Sequence, residues 1–290
     1  MTPETILVQS LGGLARAGVL FMLAAGLTLV FGALRVINFA HGSLYMVGAF
    51  VGATIVLRTS GNFWLALIAA PLVVALLGGL IEVSVLRRIY RREHLIQLLA
   101  TYSLVLIVGD LVRLIWGAQY LSISVPNIFA ESVQVAGQPL PLYNLVIIAF
   151  ACVTAVALWA LFYRTGLGRD IRGAVSDPEM LGLVGVNVPA LFTAVFMIGA
   201  FVAGLAGVII APSTSVGLGI DVETVVEAFA VTVIGGLGSF VGALIGAVII
   251  GQVEAFGIMW VPRAALAFVF LAMAIVLGLR PYGLFGEPER

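Results

Sequence analysis

The 290 residues are 62% hydrophobic and only 10% charged, with 14 basic groups offset by 14 acidic ones, where soluble domains carry about 25% charged residues. A mean hydropathy of +1.20 and 34 glycines exclude an ordinary soluble domain and point to a polytopic α-helical protein of the lipid bilayer, without a nucleic-acid partner. Every basic residue is Arg, and a Walker-type phosphate loop needs a Lys, so ATP that drives this chain would be hydrolysed on another polypeptide.

Runs of about 20 apolar residues mark candidate crossings. In chain order they are Ile6–Leu34, Gly42–Leu57, Phe63–Leu86, Leu95–Trp116, Leu142–Phe162, Pro189–Pro212 and Val261–Leu279. The first has no basic region before it and reads as a span, not a cleaved signal. Between the last two lies Val222–Gly257, broken at Gly235-Gly236-Leu237-Gly238-Ser239. As one helix it would be about 54 Å long, so two segments are expected, the first of them short. The total is eight or nine elements.

Arginine placement sets the orientation. Arg87, Arg88, Arg91 and Arg92 follow the third run, and Arg164, Arg169 and Arg172 follow the fifth. Both clusters belong in the cytoplasm. The loop between them, Gly117–Pro141, has no basic residue and one acidic one, Glu131, as an outer loop should. The amino terminus then lies outside, with Arg35 and Arg280 inside.

The polar stretch at about 164–187 carries helix signals of its own. Asp177 can cap a helix, Pro178 suits its first position, Glu179 complements the dipole, and Gly185 can close it in the left-handed conformation. The result is a helix of about two turns presenting Met180, Leu181, Leu183 and Val184, with Arg169 and Arg172 upstream. It could lie on the headgroups or dock in the groove of a soluble partner. Its cytoplasmic side, in a chain with no ATPase of its own, favours docking.

Two breaks interrupt the apolar pattern at membrane depth. Asn38-Phe39-Ala40-His41-Gly42-Ser43 opens the second run, and Gly235–Ser239 opens a later one. The segments that follow them, Gly48-Ala49-x-x-Gly52-Ala53 and Gly242-Ala243-x-x-Gly246-Ala247, are alike. Broken helices in two halves can flank a transport path; close helix packing through small residues is the competing reading. Gly199, Ala203, Ala206 and Gly207 read as a packing stripe. Among charged groups within the runs, Asp110 and Arg113 are expected to pair, as are Glu82 and Arg87. Glu227 and Glu254 are expected to face water or another subunit, Arg16 to sit at the outer interface, and His41 to be a satisfied polar residue at a helix start. Cys152 alone forms no disulfide, and His41 and His94 make no metal motif. No hydrolase motif of the G-x-S-x-G or H-E-x-x-H type is present, and no enzymatic activity is expected.

Six motifs in order resemble the branched-chain amino acid ABC permease family, on its LivH-type side. They are Gly26-Leu27-Thr28-Leu29-Val30-Phe31-Gly32; Val36-Ile37-Asn38-Phe39-Ala40-His41-Gly42; Gly168-Arg169 with Arg172, Asp177 and Gly185; Ala203-Gly204-Leu205-Ala206-Gly207-Val208; Gly235-Gly236-Leu237-Gly238-Ser239; and Leu279-Arg280-Pro281-x-Gly283-Leu284-Phe285-Gly286. The resemblance implies one all-α permease domain over residues 1–290, with about eight transmembrane helices, broken or re-entrant helices and a cytoplasmic coupling helix. It also implies a multi-pass protein of the bacterial inner membrane. Its implied partners are a second, LivM-type permease, two ATPase subunits that bind ATP and magnesium, and a periplasmic substrate-binding protein. This chain would bind no cofactor itself. Arg169, Arg172, Asp177, Glu179, Met180 and Gly185 would serve coupling. Asn38, His41, Gly42, Ser43, Gly235, Gly236, Gly238 and Ser239 are the candidates for the translocation path. Arg16 stands where the family has an uncharged residue, and an outer arginine could favour an anionic solute. The alternative function is a self-contained, ion-coupled transporter or channel, which would need Asp110, Glu227 or Glu254 as ion sites.

Overall fold

A computed structural model describes residues 2–90 and 92–286; Arg91 of the basic cluster lies outside the described residues. Among these residues, eight helical segments are long and apolar enough to cross a membrane, the third and the last of them counted with an adjoining 3-10 turn (Phe63–Arg88 and Pro262–Leu279). These are α1 (Pro3–Leu34), α2 (Ala40–Arg58), α3 (Phe63–Ser84), α4 (His94–Trp116), α5 (Leu142–Arg164), α8 (Val188–Ile210), α10 (Phe240–Trp260) and α11 (Ala265–Leu279). Shorter helices are α6 (Gly166–Ser176), α7 (Pro178–Leu183) and α9 (Ile220–Gly235). The expected break in the long apolar run is therefore present between α9 and α10. The last run starts later than its hydropathy suggests, because Pro262–Ala264 form a 3-10 turn before α11.

The outer loop contains structure that its composition did not announce. β1 (Ser132–Val135) and β2 (Gln138–Pro141) pair antiparallel, with Val133 opposite Leu140. Ala136 and Gly137, both at positive φ (51° and 79°), form the tight turn between them. Nearby, Leu121 and Val216 exchange two backbone hydrogen bonds of 2.8 Å, tying this loop to the connection before α9.

α1 occupies the centre. It is apolar on all sides, and residues 17–30 are buried without exception, as expected of a helix enclosed by neighbours. α10, α8, α5 and α9 pack around it, while α2 packs on α8 and α3. α5 and α11 bury little of themselves against the chain.

Glycine permits this density. A Cβ on Gly48 would meet the Gly204 backbone, one on Gly204 would meet Val74 and Pro71, and one on Gly251 would meet the α1 backbone at Gly13 and Ala17. The paired small-residue segments after the two breaks are thus helix contacts, α2 on α8 and α10 on α9. The stripe of Gly199, Ala203, Ala206 and Gly207 is also a contact surface, with both alanines fully buried.

Gly48→Ala should lower stability by about 1–3 kcal/mol through overpacking. Gly12→Ala, whose Cβ meets nothing within 4 Å, should be tolerated. Thermal unfolding of the two variants in detergent makes the comparison.

Candidate functional site

The chain does not turn directly from α1 into α2. Arg35, at φ 52°, stops α1, and residues 35–38 run on without helical structure before α2 begins. The Thr101 hydroxyl donates to the Ile37 carbonyl at 3.4 Å. Thr101 lies seven residues inside α4, about 10 Å from its start at a rise of about 1.5 Å per residue. α2 therefore starts within the bundle, beyond the level at which α4 begins. Such irregular backbone is tolerable at depth only where protein encloses it.

Asn38, His41 and Ser43 are almost completely buried. Asn38 Oδ1 accepts from the Ala40 amide at 3.1 Å, which helps start α2. Ser43 donates to Asp221 Oδ2 at 3.0 Å, and Gly42 lies flush against Asp221 and Val225 on α9. His41 departs from expectation. Neither of its nitrogens has a hydrogen-bond partner among the described residues, and the ring is pressed against Gly26 of α1. The amide nitrogen of Asn38 and the hydroxyl of Thr28 are likewise unpartnered there. A buried polar group left without a partner costs about 1–3 kcal/mol.

The Gly235–Ser239 break does not join this group. Ser239 caps α10 by accepting from the Gly242 amide at 3.1 Å. Gly236 packs against Gly286, while the amides of Leu284 and Phe285 donate to the carbonyls of Ile234 and Gly235 at 2.8 and 3.0 Å. The tail motif Gly283–Gly286 thus satisfies the open end of α9. Asp221 and Gly235 are fourteen residues apart, about 21 Å along α9, so the path candidates form two groups at its opposite ends. Between them lies a small cavity lined by Thr28, Val36, Ile37, Phe229, Thr232 and Leu237. Thr28 and Thr232 are not legible as site residues in the sequence, since a lone Thr within an apolar run carries no signal.

The intramembrane charges are arranged differently from expectation. Arg16 is not isolated at the outer interface. It donates to Glu227 Oε2 at 2.5 Å and to Glu254 Oε2 at 2.8 Å, joining α1, α9 and α10. Both carboxylates are paired in this cluster; Glu227 is buried, while Glu254 keeps 15% of its side chain exposed. Two acids on one base also remove the basis for anion selection by Arg16. Asp110 and Arg113 are both exposed and form no ion pair with each other; the ion pairs among the described residues are those of Arg16 and of Arg87. Of the three carboxylates named for an ion-coupled carrier, Glu227 and Glu254 meet on Arg16, and Asp110 stands apart from them, exposed on α4.

At the other end, Glu82 and Arg87 do pair. Arg87 reaches both carboxylate oxygens, at 3.2 and 3.0 Å. Tyr90 donates to the same carboxylate at 2.8 Å and Thr193 of α8 at 2.7 Å. Burial, with the hydrogen bond to Glu82, pushes the Tyr90 phenol above its ordinary value, so it remains a donor. This network fixes the first turns of α8 against the end of α3.

The chain enters α8 from the polar segment. α6, unrecognised as a helix from sequence, is capped by Thr165, whose hydroxyl accepts from the Gly168 amide at 3.1 Å. Arg172 stacks on Tyr163 at 5.4 Å and donates to the Phe162 carbonyl, holding α6 to the end of α5. Arg169 and Glu179 are exposed. Asp177 accepts from the amides of Glu179 and Met180 at 3.0 and 2.9 Å, capping α7. Gly185, at φ 91°, ends the turn. Leu181 folds inward against Gly173, whereas Met180, Leu183 and Val184 are 59%, 82% and 72% exposed. An apolar knob at the end of a polar segment is a surface made for contact.

Comparison with known sequences decides the family. Residues 9–278 match the description "branched-chain amino acid transport system / permease component". The chain belongs to this permease family. It is 30% identical to the high-affinity branched-chain amino acid permease protein BraD of Pseudomonas aeruginosa, over 98% of this chain and 96% of the relative. To the LivH permease protein of Escherichia coli it is 29% identical over the same shares. To the fructose import permease protein FrcC of Rhizobium meliloti it is 26% identical over 44% of this chain and 36% of that protein. No solved structure matches. The chain is thus a multi-pass membrane permease component of an ABC-type transport system, and its relatives are transport subunits, not enzymes.

In this permease, Arg16→Ala should lower stability by up to about 3 kcal/mol, because the buried Glu227 and the half-buried Glu254 lose their counter-charge. Combining it with Glu227→Gln should recover part of the loss. Thermal unfolding of the purified variants measures both effects.

Proposed function

We propose that this permease carries branched-chain amino acids inward across the bacterial inner membrane, driven by ATP that separate subunits hydrolyse. The observation that supports the solute is coverage. The relatives named for branched-chain amino acids match this chain along nearly its whole length, whereas the fructose relative matches less than half of it.

In this reading, residues 1–290 act as one unit beside a second, LivM-type permease. Two ATPase subunits bind ATP and magnesium, and a periplasmic binding protein delivers the solute; this chain holds no cofactor. The α6–α7 segment is the coupling element. Met180 is one of three apolar side chains that seat in an ATPase groove, rimmed by Arg169 and Glu179. Arg172 anchors α6 to α5, while Asp177 and Gly185 fix the two ends of α7. A push on α7 enters α8 through Asn187, which caps that helix by accepting from the Ala190 amide at 3.1 Å. The Glu82–Arg87–Thr193 network gives α8 a fixed point against α3 as it moves. Further in, α8 touches α1 and α2 where Gly26, Gly199 and His41 meet. The path runs beside Asn38, His41, Gly42 and Ser43, with Gly235, Gly236, Gly238 and Ser239 at its inner end. Opening would hydrate the unpartnered groups of Asn38 and His41 and relieve their cost.

Asp177→Ala should weaken the α7 cap by about 1 kcal/mol and reduce transport-coupled ATP hydrolysis more than it reduces the amount of protein in the membrane. Leucine uptake and ATPase assays on the reconstituted four-subunit complex check this. Coupling unchanged by Asp177→Ala and by Leu183→Asp together would remove α7 from the mechanism.

A further inference from the structure

α10 and α11 leave a cleft between them. Phe256, Gly257 and Trp260 form one wall, and Phe268, Leu271 and Ile275 the other. Trp260, Leu271 and Ile275 are exposed on helices that span the membrane, so the cleft opens toward the bilayer. Its volume is about 400 Å³, within the roughly 300–1,000 Å³ of sites that hold small molecules. Gly257 sets its shape. A Cβ there would press on Phe268 and approach Ala265, so the two helices come close just before the turn that joins them. Further in, α11 leans on α9 and buries only Val269 of its own residues.

The cleft is too narrow for a protein helix. Its α10 wall runs from Gln252 to Trp260, about 12 Å at about 1.5 Å per residue. Spread over that length, the volume gives a mean cross-section of roughly 30 Å², where a helix about 10–12 Å across needs roughly 80–110 Å². An extended hydrocarbon chain fits. Gln252, the polar residue at the deep end, already donates its amide to the Ser10 carbonyl at 2.9 Å and leaves the walls apolar.

The outer end of the cleft complements a headgroup. Trp260 ends α10 at the level where aromatic side chains meet headgroups. Arg263 follows on the 3-10 turn, exposed, and has no ion pair among the described residues. It stands on the outer side, against the rule that places basic residues inside. No acidic residue occurs from 255 to 286, so a phosphate finds a cation here while a lipid ammonium finds no carboxylate. We propose that the α10–α11 cleft holds one anionic phospholipid of the outer leaflet, its acyl chain between Phe256 and Phe268 and its phosphate on Arg263. The lipid completes the packing that α11 lacks against its own chain.

The test uses the complete transporter in phosphatidylcholine vesicles, labelled in turn with phosphatidylglycerol or phosphatidylcholine that carries a diazirine in its acyl chain. Phosphatidylglycerol adducts, located by peptide mass spectrometry, should concentrate on the cleft-lining residues over exposed apolar positions such as Leu72 of α3 and Val153 of α5. Unlabelled phosphatidylglycerol should compete, and inorganic phosphate, which has no chain, should not. Arg263→Gln should cut the preference for phosphatidylglycerol over phosphatidylcholine by about fivefold, the worth of one basic side chain at an anionic lipid surface. Ala272→Trp, which fills the cleft with an apolar ring, should remove the adducts there. Arg263→Gln lies on an exposed turn and decides the matter if Ala272→Trp fails to assemble. Label spread evenly over the lipid-facing residues would overturn the proposal, as would a preference indifferent to Arg263→Gln. A cleft without lipid adducts in the assembled transporter would give it to a neighbouring subunit and overturn it too.

Discussion

Everything in this molecule depends on enclosing α1. A helix with no polar face cannot rest against water, and in lipid it gains nothing from apolarity alone, since acyl chains are as apolar as Leu. What holds α1 is close packing on every side. The glycines that let α8, α10 and α9 approach their neighbours at backbone distance supply that packing, and the rigid backbone contacts they create leave little room for adjustment. Ala and Gly at these positions are therefore part of the architecture, in the same sense as a Leu core is in a soluble domain.

Enclosure also makes the polar features possible. The non-helical stretch at residues 35–38 would expose unsatisfied backbone if it faced acyl chains. Inside the bundle its carbonyl at Ile37 finds Thr101, and its Asn38 side chain starts α2. The open end of α9 is closed by the tail at Leu284 and Phe285. The Arg16 cluster is tolerated for the same reason: three charges share one enclosed site and bind three helices, where any one of them alone would be expelled.

Rigid packing in the centre contrasts with the two surfaces left open. α7 projects Met180, Leu183 and Val184 from a short segment held by one capping Asp and one terminal Gly. α4 turns Asp110 and Arg113 away from the chain. A transport subunit that moves as a body needs a stiff interior to carry displacement and discrete contacts through which to receive it. The bonds from Glu82 to Arg87, Tyr90 and Thr193 stand between the two, at the foot of the helix that α7 enters.

The sequence by itself determined the class of the protein, the crossings, the break between α9 and α10, the α7 cap at Asp177 and the Glu82–Arg87 pair. Each of these is written in local terms: apolar run length, a Gly cluster, a capping Asp before Pro, two opposite charges five residues apart. α6 escaped notice because it is short and polar, with its cap at Thr165 hidden among other loop-forming residues. The tertiary structure decided what depends on distant partners. Arg16 meets Glu227 and Glu254 across more than two hundred residues of chain, which no periodicity announces. Asp110 and Arg113 are three residues apart and Glu82 and Arg87 five, so local reasoning pairs both couples. Only packing shows that the first couple faces outward, unpaired, while the second is drawn together by Thr193 from another helix. Whether a glycine breaks a helix or lets two helices meet is likewise undecided in one dimension, because the answer lies in what stands opposite it.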